Sequence, residues 1–225
     1  MQSIHDLDFS KMDMPEWASG GGVIGVIQNL ETGEVLNTYL LDRPAVQESL
    51  ENKDVRLPTA TGDRRQVRLA FELKETYVDC DADTLLLRVS APITAKQTFT
   101  FADWVGIEGC VNYPIDLSNG YVWREKKSIA IAQHWETNEV IMVGVATNQA
   151  IRQTLNTEKA TFWSRSKGRI WTKGESSGNF LQLRLARMSQ DGEVVIYYVK
   201  PVGPVCHTGA QTCFREFDGS LRILR

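Results

Sequence analysis

The feature that most constrains this chain is an internal repeat. Residues 27–36 match residues 132–141, reading IQNLETGEVL in the first copy and AQHWETNEVI in the second. The alignment continues without gaps, 105 residues apart, to Leu50 and Leu155. Because a gapless match that ends in the same apolar pattern rarely arises by chance, the sequence predicts two copies of one structural unit.

Each copy has the pattern of a β-hairpin followed by a short helix. Alternating apolar residues at 23–28 and 129–133 lead into turns at Glu-Thr-Gly and Glu-Thr-Asn, and then into a second strand. Pro44 suits the start of one helix and Thr147 suits the cap of the other. Later strands are predicted in two matching pairs, 67–73 with 85–89 and 181–187 with 194–199.

These elements predict an α+β fold. It consists of two similar repeats, each an antiparallel sheet with a short helix, packed together as an intramolecular pseudo-dimer. The segment VNYPIDLSNG at 111–120 has the Pro, Asn and Gly content of a linker. We therefore place the first repeat at 1–110 and the second at 121–225.

Charge and hydropathy exclude several classes of protein. A net charge of −3 does not favour a nucleic-acid-binding surface. No apolar run approaches the about 20 residues that a membrane span needs. Residues 1–17 lack the pattern of a secretory signal or a transit peptide. We therefore expect a cytoplasmic protein with neither nucleic acid nor membrane as a partner.

The two copies differ most in the segment that follows the helix. The second copy has TFWSRSKGRIWTKGESSGN at 161–179, whereas the corresponding region of the first is five residues shorter and lacks this Ser- and Gly-rich pattern. Charged side chains, hydroxyls and exposed backbone N–H groups together suit a phosphate, although a solvated basic hairpin would have the same composition. The residues are Arg165, Lys167, Arg169 and Lys173, with Ser164, Ser166, Ser176, Ser177, Gly174 and Gly178.

A second difference is an acidic run in the first copy. Asp79, Asp81 and Asp83 alternate with other residues, and Cys80 lies between the first two. If the run is extended, the carboxylates share one face and suit a hard cation such as Mg²⁺, while the thiol faces the other way and suits Zn²⁺. An acidic turn with an incidental cysteine is the alternative. The second copy reads SQDGE at 189–193 and has lost the thiol and one carboxylate.

The remaining cysteines lie mainly in the second copy. Cys206 and Cys213 flank the segment HTGAQT, with His207 directly after the first cysteine. This spacing is uncommon for structural zinc, and buried structural thiols are the alternative. We interpret Cys110 as a packed or free thiol.

With these motifs in place, the sequence resembles the phosphoribosyl-AMP cyclohydrolase family of histidine biosynthesis. The resemblance is carried by residues 160–179 and 203–214 and, more weakly, by VDCDADTLLLRV at 78–89. Enzymes of that family are homodimers with active sites between subunits. The resemblance implies Zn²⁺ on Cys80, Cys206 and Cys213, and Mg²⁺ on Asp79, Asp81 and Asp83. It also implies substrate contacts from Trp163, Ser164, Arg165, Ser166, Lys173, Gly174, Glu175, Ser176, Ser177, Gly178 and Asn179.

The family chemistry implies a mechanism for this chain. Zinc-activated water would attack C6 of the adenine ring of phosphoribosyl-AMP and open the N1–C6 bond. His207 is the candidate general acid or base, or alternatively a residue that orients a ligand. Because each copy lacks what the other retains, we expect one site per chain and a monomer. A non-catalytic nucleotide-binding or regulatory paralogue, or a structural zinc protein, are the alternatives.

Overall fold

A computed structural model describes residues 4–10, 21–57, 67–90, 105–107, 127–189 and 192–217. These residues form two compact units, and each unit has its own sheet and its own hydrophobic core. The first contains 4–10, 21–57, 67–90 and 214–217, and the second contains 105–107, 127–189 and 192–213. Within the described residues, no helix is long and apolar enough to cross a membrane.

The first unit begins with a 3-10 helix at Ile4–Asp6 and contains one α-helix. In chain order the other elements are β1 (Val23–Asn29), β2 (Val35–Leu41), α1 (Arg43–Asn52), β3 (Asp54–Leu57), β4 (Val67–Val78), β5 (Thr84–Ser90) and β13 (Arg215–Glu216). In the sheet the strands lie in the order β13-β4-β5-β1-β2, with β3 also paired to β4.

The second unit repeats the hairpin and helix, and a further hairpin follows its helix. In chain order the elements are β6 (Val105–Ile107), β7 (Lys127–His134), β8 (Val140–Thr147), α2 (Asn148–Thr157), β9 (Thr161–Ser164), β10 (Arg169–Thr172), β11 (Leu181–Met188) and β12 (Val194–Pro201). In the sheet these strands lie in the order β10-β9-β8-β7-β12-β11-β6.

The predicted hairpin–helix modules are present in both units, and the helices begin as the sequence indicates. The side chain of Asp42 accepts a hydrogen bond from Ala45 N (2.8 Å), and that of Thr147 accepts one from Ala150 N (3.2 Å). These caps satisfy backbone donors in the first turn that have no partner within the helix. Pro44 lies in the first turn of α1, as predicted.

The prediction of antiparallel sheets was wrong for one pair of strands in each unit. β1 runs parallel to β5 and β7 runs parallel to β12, so both sheets are mixed. The helix is the physical reason. After the first hairpin, α1 or α2 carries the chain back across the sheet, and such a crossover allows two strands of one direction to pair.

Two short strands extend the sheets beyond the hairpin–helix modules. β6 pairs with β11 in the second unit, although it lies within the predicted first repeat, 1–110. β13 pairs with β4 in the first unit, although it lies within 121–225. Each of these strands covers part of a sheet edge that would otherwise offer unpaired backbone groups. The predicted linker, 111–120, lies outside the described residues.

Candidate active site

The acidic run of the first unit forms a tight turn between β4 and β5. Asp79 and Asp83 are buried, whereas Asp81 is exposed. One carboxylate oxygen of Asp79 accepts hydrogen bonds from the backbone N–H groups of Asp83 and Thr84, both at 3.1 Å. The chain reverses at Ala82, where φ is +60°. The extended conformation considered from the sequence is therefore wrong, because Asp79 folds the run into a turn.

Burial makes this turn electrostatically unusual. Burial, together with repulsion from Asp83, raises the pKa of Asp79 from 3.8 to about 8, against the opposing hydrogen bond from Thr84 N. A buried carboxylate beside a second one is costly to ionise unless a cation offsets the charge. Carboxylate oxygens are the ligands that Mg²⁺ prefers. The donor set of this turn therefore fits a hard divalent cation.

Cys80 follows Asp79 directly in the same turn. It is a half-buried cysteine of the first unit. A thiol is a soft ligand, unlike the neighbouring carboxylates, so this short turn carries both kinds of donor.

The second unit brings two thiols together. The Sγ atoms of Cys206 and Cys213 lie within 4.8 Å of one another. Val205 N and Cys206 N each donate to Ala210 O at 2.9 Å, which closes a compact loop around the first thiol. Cys213 N donates to Ile141 O in β8 at 2.8 Å, which anchors the second. The pair suits a soft metal ion such as Zn²⁺.

His207 lies next to this thiol pair. Its imidazole is exposed, and Nδ1 lies 3.8 Å from Cys206 Sγ. An exposed imidazole beside a thiol pair is accessible to a reactant and can carry a proton to or from it.

The predicted substrate loop consists of the hairpin β9–β10 and the turn at 172–179. Two of its charged residues pair with each other, since Arg169 Nη2 lies 2.5 Å from a carboxylate oxygen of Glu175. Glu175 also accepts a hydrogen bond from Thr172 N at 3.2 Å. Arg169 and Glu175 therefore hold the turn in shape. The residues that remain exposed include Ser166, Ser176, Ser177 and Gly178.

Lys173 differs from the other basic residues of the loop. Its side chain is buried, and the residue is 9% exposed. Burial lowers the pKa of its ammonium group, while the charges of Cys213 and Cys206 act in the opposite direction. Lys173 therefore lies within electrostatic reach of the thiol pair, which its place in a Ser- and Gly-rich run does not indicate.

Asn179 connects this loop to the segment that leads into Cys206. A Cβ atom at Gly203 would lie 2.5 Å from Asn179 Oδ1, and a Cβ atom at Gly174 would lie 2.5 Å from Asn179 backbone atoms. Asn179 is therefore enclosed by two glycines, and we call this set of three residues the glycine clasp. Gly203 belongs to the motif at 203–214, but this structural role was not predicted, although the Gly-Pro pair at 203–204 is a signal of a special backbone conformation.

The predicted site residues thus form two groups, one in each unit. The first unit holds the carboxylates of Asp79 and Asp83, with Cys80 in the same turn. The second unit holds the thiol pair, His207 and Lys173, together with the loop. Cys110, Gln190 and Asp191 lie outside the described residues.

Comparison with known proteins gives the same family that the motifs indicate. Residues 142–215 match the family model described as phosphoribosyl-AMP cyclohydrolase. A phosphoribosyl-AMP cyclohydrolase of Sulfurisphaera tokodaii is 44% identical over 91 residues, which are 40% of this chain and 77% of that protein.

Longer relatives match as well. The histidine biosynthesis bifunctional protein HisIE of Vibrio cholerae is 45% identical over 85 residues, covering 38% of this chain and 40% of that protein. The protein of the same name from Staphylococcus epidermidis is 41% identical over 114 residues, covering 50% of this chain and 51% of that protein. The match therefore spans about half, or less, of these bifunctional relatives.

Proposed function

This chain belongs to the phosphoribosyl-AMP cyclohydrolase family, and from that premise we propose that it opens the adenine ring of phosphoribosyl-AMP by hydrolysis of the N1–C6 bond. The observation that carries the proposal is the thiol pair. Cys206 and Cys213 lie within 4.8 Å of each other inside the segment that matches the family model. Such a pair is what a catalytic zinc ion needs from one side of its coordination shell.

We propose Cys80 as the third thiolate ligand. Its support is the resemblance to the cyclohydrolase family, in which the Cys of the Asp-Cys-Asp-x-Asp motif is a zinc ligand. Cys80 holds that place in the motif, and it adds a half-buried soft donor to the acidic turn. Three thiolates leave the fourth position of a tetrahedral zinc ion for water.

A zinc ion held in this way would supply a nucleophile from water near neutral pH. The protein residues bind, orient and transfer protons around it. His207 is exposed and 3.8 Å from Cys206 Sγ, so we assign it proton transfer between water and the opening ring. The buried carboxylates of Asp79 and Asp83, with Asp81, would bind Mg²⁺ and so lose their mutual repulsion.

The loop at 161–179 is the proposed site for the substrate phosphates. Arg165 and the hydroxyls of Ser164 and Ser166 lie at the turn between β9 and β10. The exposed Ser176, Ser177 and Gly178 offer short donors on the following turn. Arg169 and Glu175 act through each other to hold that turn. Trp163, whose ring Lys127 approaches to 5.3 Å, would flank the nucleotide.

We further propose that the two units together form one complete site per chain, as two subunits would in a homodimer. The support is complementary loss. The acidic turn with its thiol belongs to the first unit, whereas the cysteine pair and the loop belong to the second. A covalent connection would keep both units at high effective concentration, so a monomer would suffice.

An ultraviolet assay of ring opening tests this proposal. The full chain should convert phosphoribosyl-AMP, lose activity with a strong chelator, and recover it when zinc and magnesium are added back. Cys206→Ala should bind the nucleotide and leave it intact. Tight nucleotide binding by the metal-loaded wild-type chain without any turnover would instead identify a non-catalytic paralogue.

A further inference from the structure

We infer that Lys173 is a positioning residue of the thiol pair. The ammonium group of Lys173 offsets the negative charge that Cys206 and Cys213 carry when they bind a metal ion. The sequence alone groups Lys173 with the phosphate-binding residues of the loop. The inference rests on the proposed function, because it takes the two thiols to be metal ligands.

The first observation is the burial of a charged group without an acidic partner. Lys173 is 9% exposed, and within the described residues no carboxylate lies at ion-pair distance from its Nζ atom. A buried ammonium group is costly unless a negative charge lies near it. Among the described residues, the acidic groups that act on it are Cys213 and Cys206.

The second observation is that the backbone at Lys173 is anchored and connected to the segment that leads into Cys206. Lys173 N donates to Ala160 O at 2.9 Å, which ties the residue to the start of β9. The glycine clasp then connects the next residue, Gly174, through Asn179 to Gly203, three residues before Cys206. The Lys173 Nζ atom lies 5.9 Å from the centre of the Trp171 ring, whose side chain packs on the same core cluster as Cys213.

The charge of the metal centre explains why a cation belongs there. Three thiolates around a divalent ion leave an excess negative charge in a partly dry site, where charges interact more strongly than in water. An ammonium group nearby stabilises that arrangement without occupying a coordination position. Neighbours that support metal ligands in this way typically change metal affinity by about 10- to 100-fold.

A phosphate contact would behave differently. Loss of a phosphate ligand raises KM for the substrate and leaves the metal in place. Loss of a cation beside the thiols weakens the metal and lowers kcat, with little effect on KM. The two roles of Lys173 are therefore separable by measuring metal affinity alongside the two kinetic constants.

The experiment compares Lys173→Met, Lys173→Gln and Lys173→Arg in the full chain. Zinc affinity is measured by competition with a chromophoric chelator, and kcat and KM are measured for phosphoribosyl-AMP. Lys200→Met is the matched control, since it removes a lysine charge from an exposed position on β12 of the same unit. Circular dichroism verifies that each variant is folded. If Lys173→Met does not fold, Lys173→Gln serves as the neutral variant.

We expect both neutral variants to lose zinc affinity by about tenfold or more, with KM changed by less than about twofold. Lys173→Arg keeps the charge and should recover most of the affinity, and Lys200→Met should equal wild type. Unchanged zinc affinity with a raised KM would overturn the inference, as would an arginine variant as weak as the neutral ones. Cys206→Ala distinguishes a failure of the proposed metal site from a failure of the role of Lys173, because full zinc retention in Cys206→Ala would refute the metal site itself.

Discussion

The turn after β4 and the turn after β11 share backbone hydrogen bonds among their described residues but differ in side-chain chemistry. Asp79 N donates to Thr84 O in the first unit, as Ser189 N donates to Val194 O in the second. The side chain of Asp79 accepts from Thr84 N, and the hydroxyl of Ser189 accepts from Val194 N at 2.9 Å. A hydroxyl is thus sufficient to form this turn. The charge of the Asp79 carboxylate is more than this turn requires, which fits the proposal that it binds a metal ion.

Elsewhere the two units have equivalent residues that make the same hydrogen bonds. In α1, Ser49 Oγ donates to Ala45 O and accepts from Arg56 N. In α2, Thr154 makes the corresponding bonds to Ala150 O and from Thr161 N. Positions that build the scaffold are therefore matched between the units. The unmatched positions are those with thiols, buried carboxylates and loop cations.

The largest effect is expected from replacing Asp79 in the turn after β4 by serine, the residue that occupies the equivalent position, 189, in the turn after β11. Asp79→Ser keeps a side-chain acceptor for Thr84 N but removes a buried charge, so the chain should fold while magnesium binding is lost. Activity should fall by about 100-fold or more, since a metal that organises charge contributes several kcal/mol. The comparison is made by steady-state kinetics with saturating magnesium.

The matched control is Ser189→Ala in the other turn. It removes the acceptor for Val194 N and should lower the free energy of unfolding by about 1 kcal/mol, with activity of the folded protein unchanged. Equal activity loss in both variants would contradict the functional difference between the two turns.

A second prediction concerns pH. Because burial raises the pKa of Asp79 from 3.8 to about 8, the metal-free folded protein keeps a proton between these values that the unfolded chain has released. The folded state then binds more protons, so the free energy of unfolding falls as pH rises from about 4 to about 8, by at most about 1.4 kcal/mol per pH unit. Denaturant unfolding of wild type and Asp79→Ser at several pH values isolates this contribution.

Magnesium provides the internal test of that pH dependence. Saturating Mg²⁺ should hold Asp79 ionised and abolish the difference in slope between wild type and Asp79→Ser. If the difference in slope between wild type and Asp79→Ser persisted unchanged with Mg²⁺, the acidic turn would not be a cation site.

The third prediction concerns the glycine clasp, for which the first unit has no counterpart among its described residues. Gly174→Ala places a Cβ atom 2.5 Å from Asn179 backbone atoms at φ +89°, whereas Gly178→Ala, at φ +78°, meets nothing within 4 Å. Both variants carry the strain of a left-handed alanine, of about 1 kcal/mol. Only Gly174→Ala also has the clash, so its free energy of unfolding should be lower by a further amount of about 1–3 kcal/mol. Thermal unfolding measures the difference, and equal losses would refute the clasp.

The smallest effect is expected in the loop. Arg165→Gln should raise KM for phosphoribosyl-AMP by about tenfold, the equivalent of one charged hydrogen bond, without changing zinc content. Arg187→Gln, on an exposed position of β11, is the control. An unchanged KM in Arg165→Gln would make the loop a solvated basic hairpin.

Local features of this fold could be predicted from the sequence, and long-range ones could not. The hairpins, the two helices, Pro44 at the start of α1 and the cap Thr147 depend on neighbouring residues, and the structure confirms them. β6 and β13 have three and two residues, too few for any periodicity. Their pairing depends on sheet edges that form only in the folded chain.

The site divides in the same way. Residue types identified the thiols and carboxylates, because metal chemistry needs those atoms wherever they lie. The burial of Lys173 depends on how the loop folds over the segment before Cys206, and no pattern in 161–179 indicates it. The turn at Asp79 was also misjudged, since alternation of carboxylates is equally compatible with a strand and with a turn.

The claim that the two units contribute to a single site is tested most directly by metal and ligand stoichiometry. Metal analysis of the full chain, combined with titration by a tight substrate analogue, should give one zinc ion and one ligand per 225-residue chain. Cys80→Ala in the first unit and Cys213→Ala in the second should each lose that zinc, whereas Cys110→Ala should keep it. Two ligands per chain, or full zinc retention in Cys80→Ala, would contradict the account.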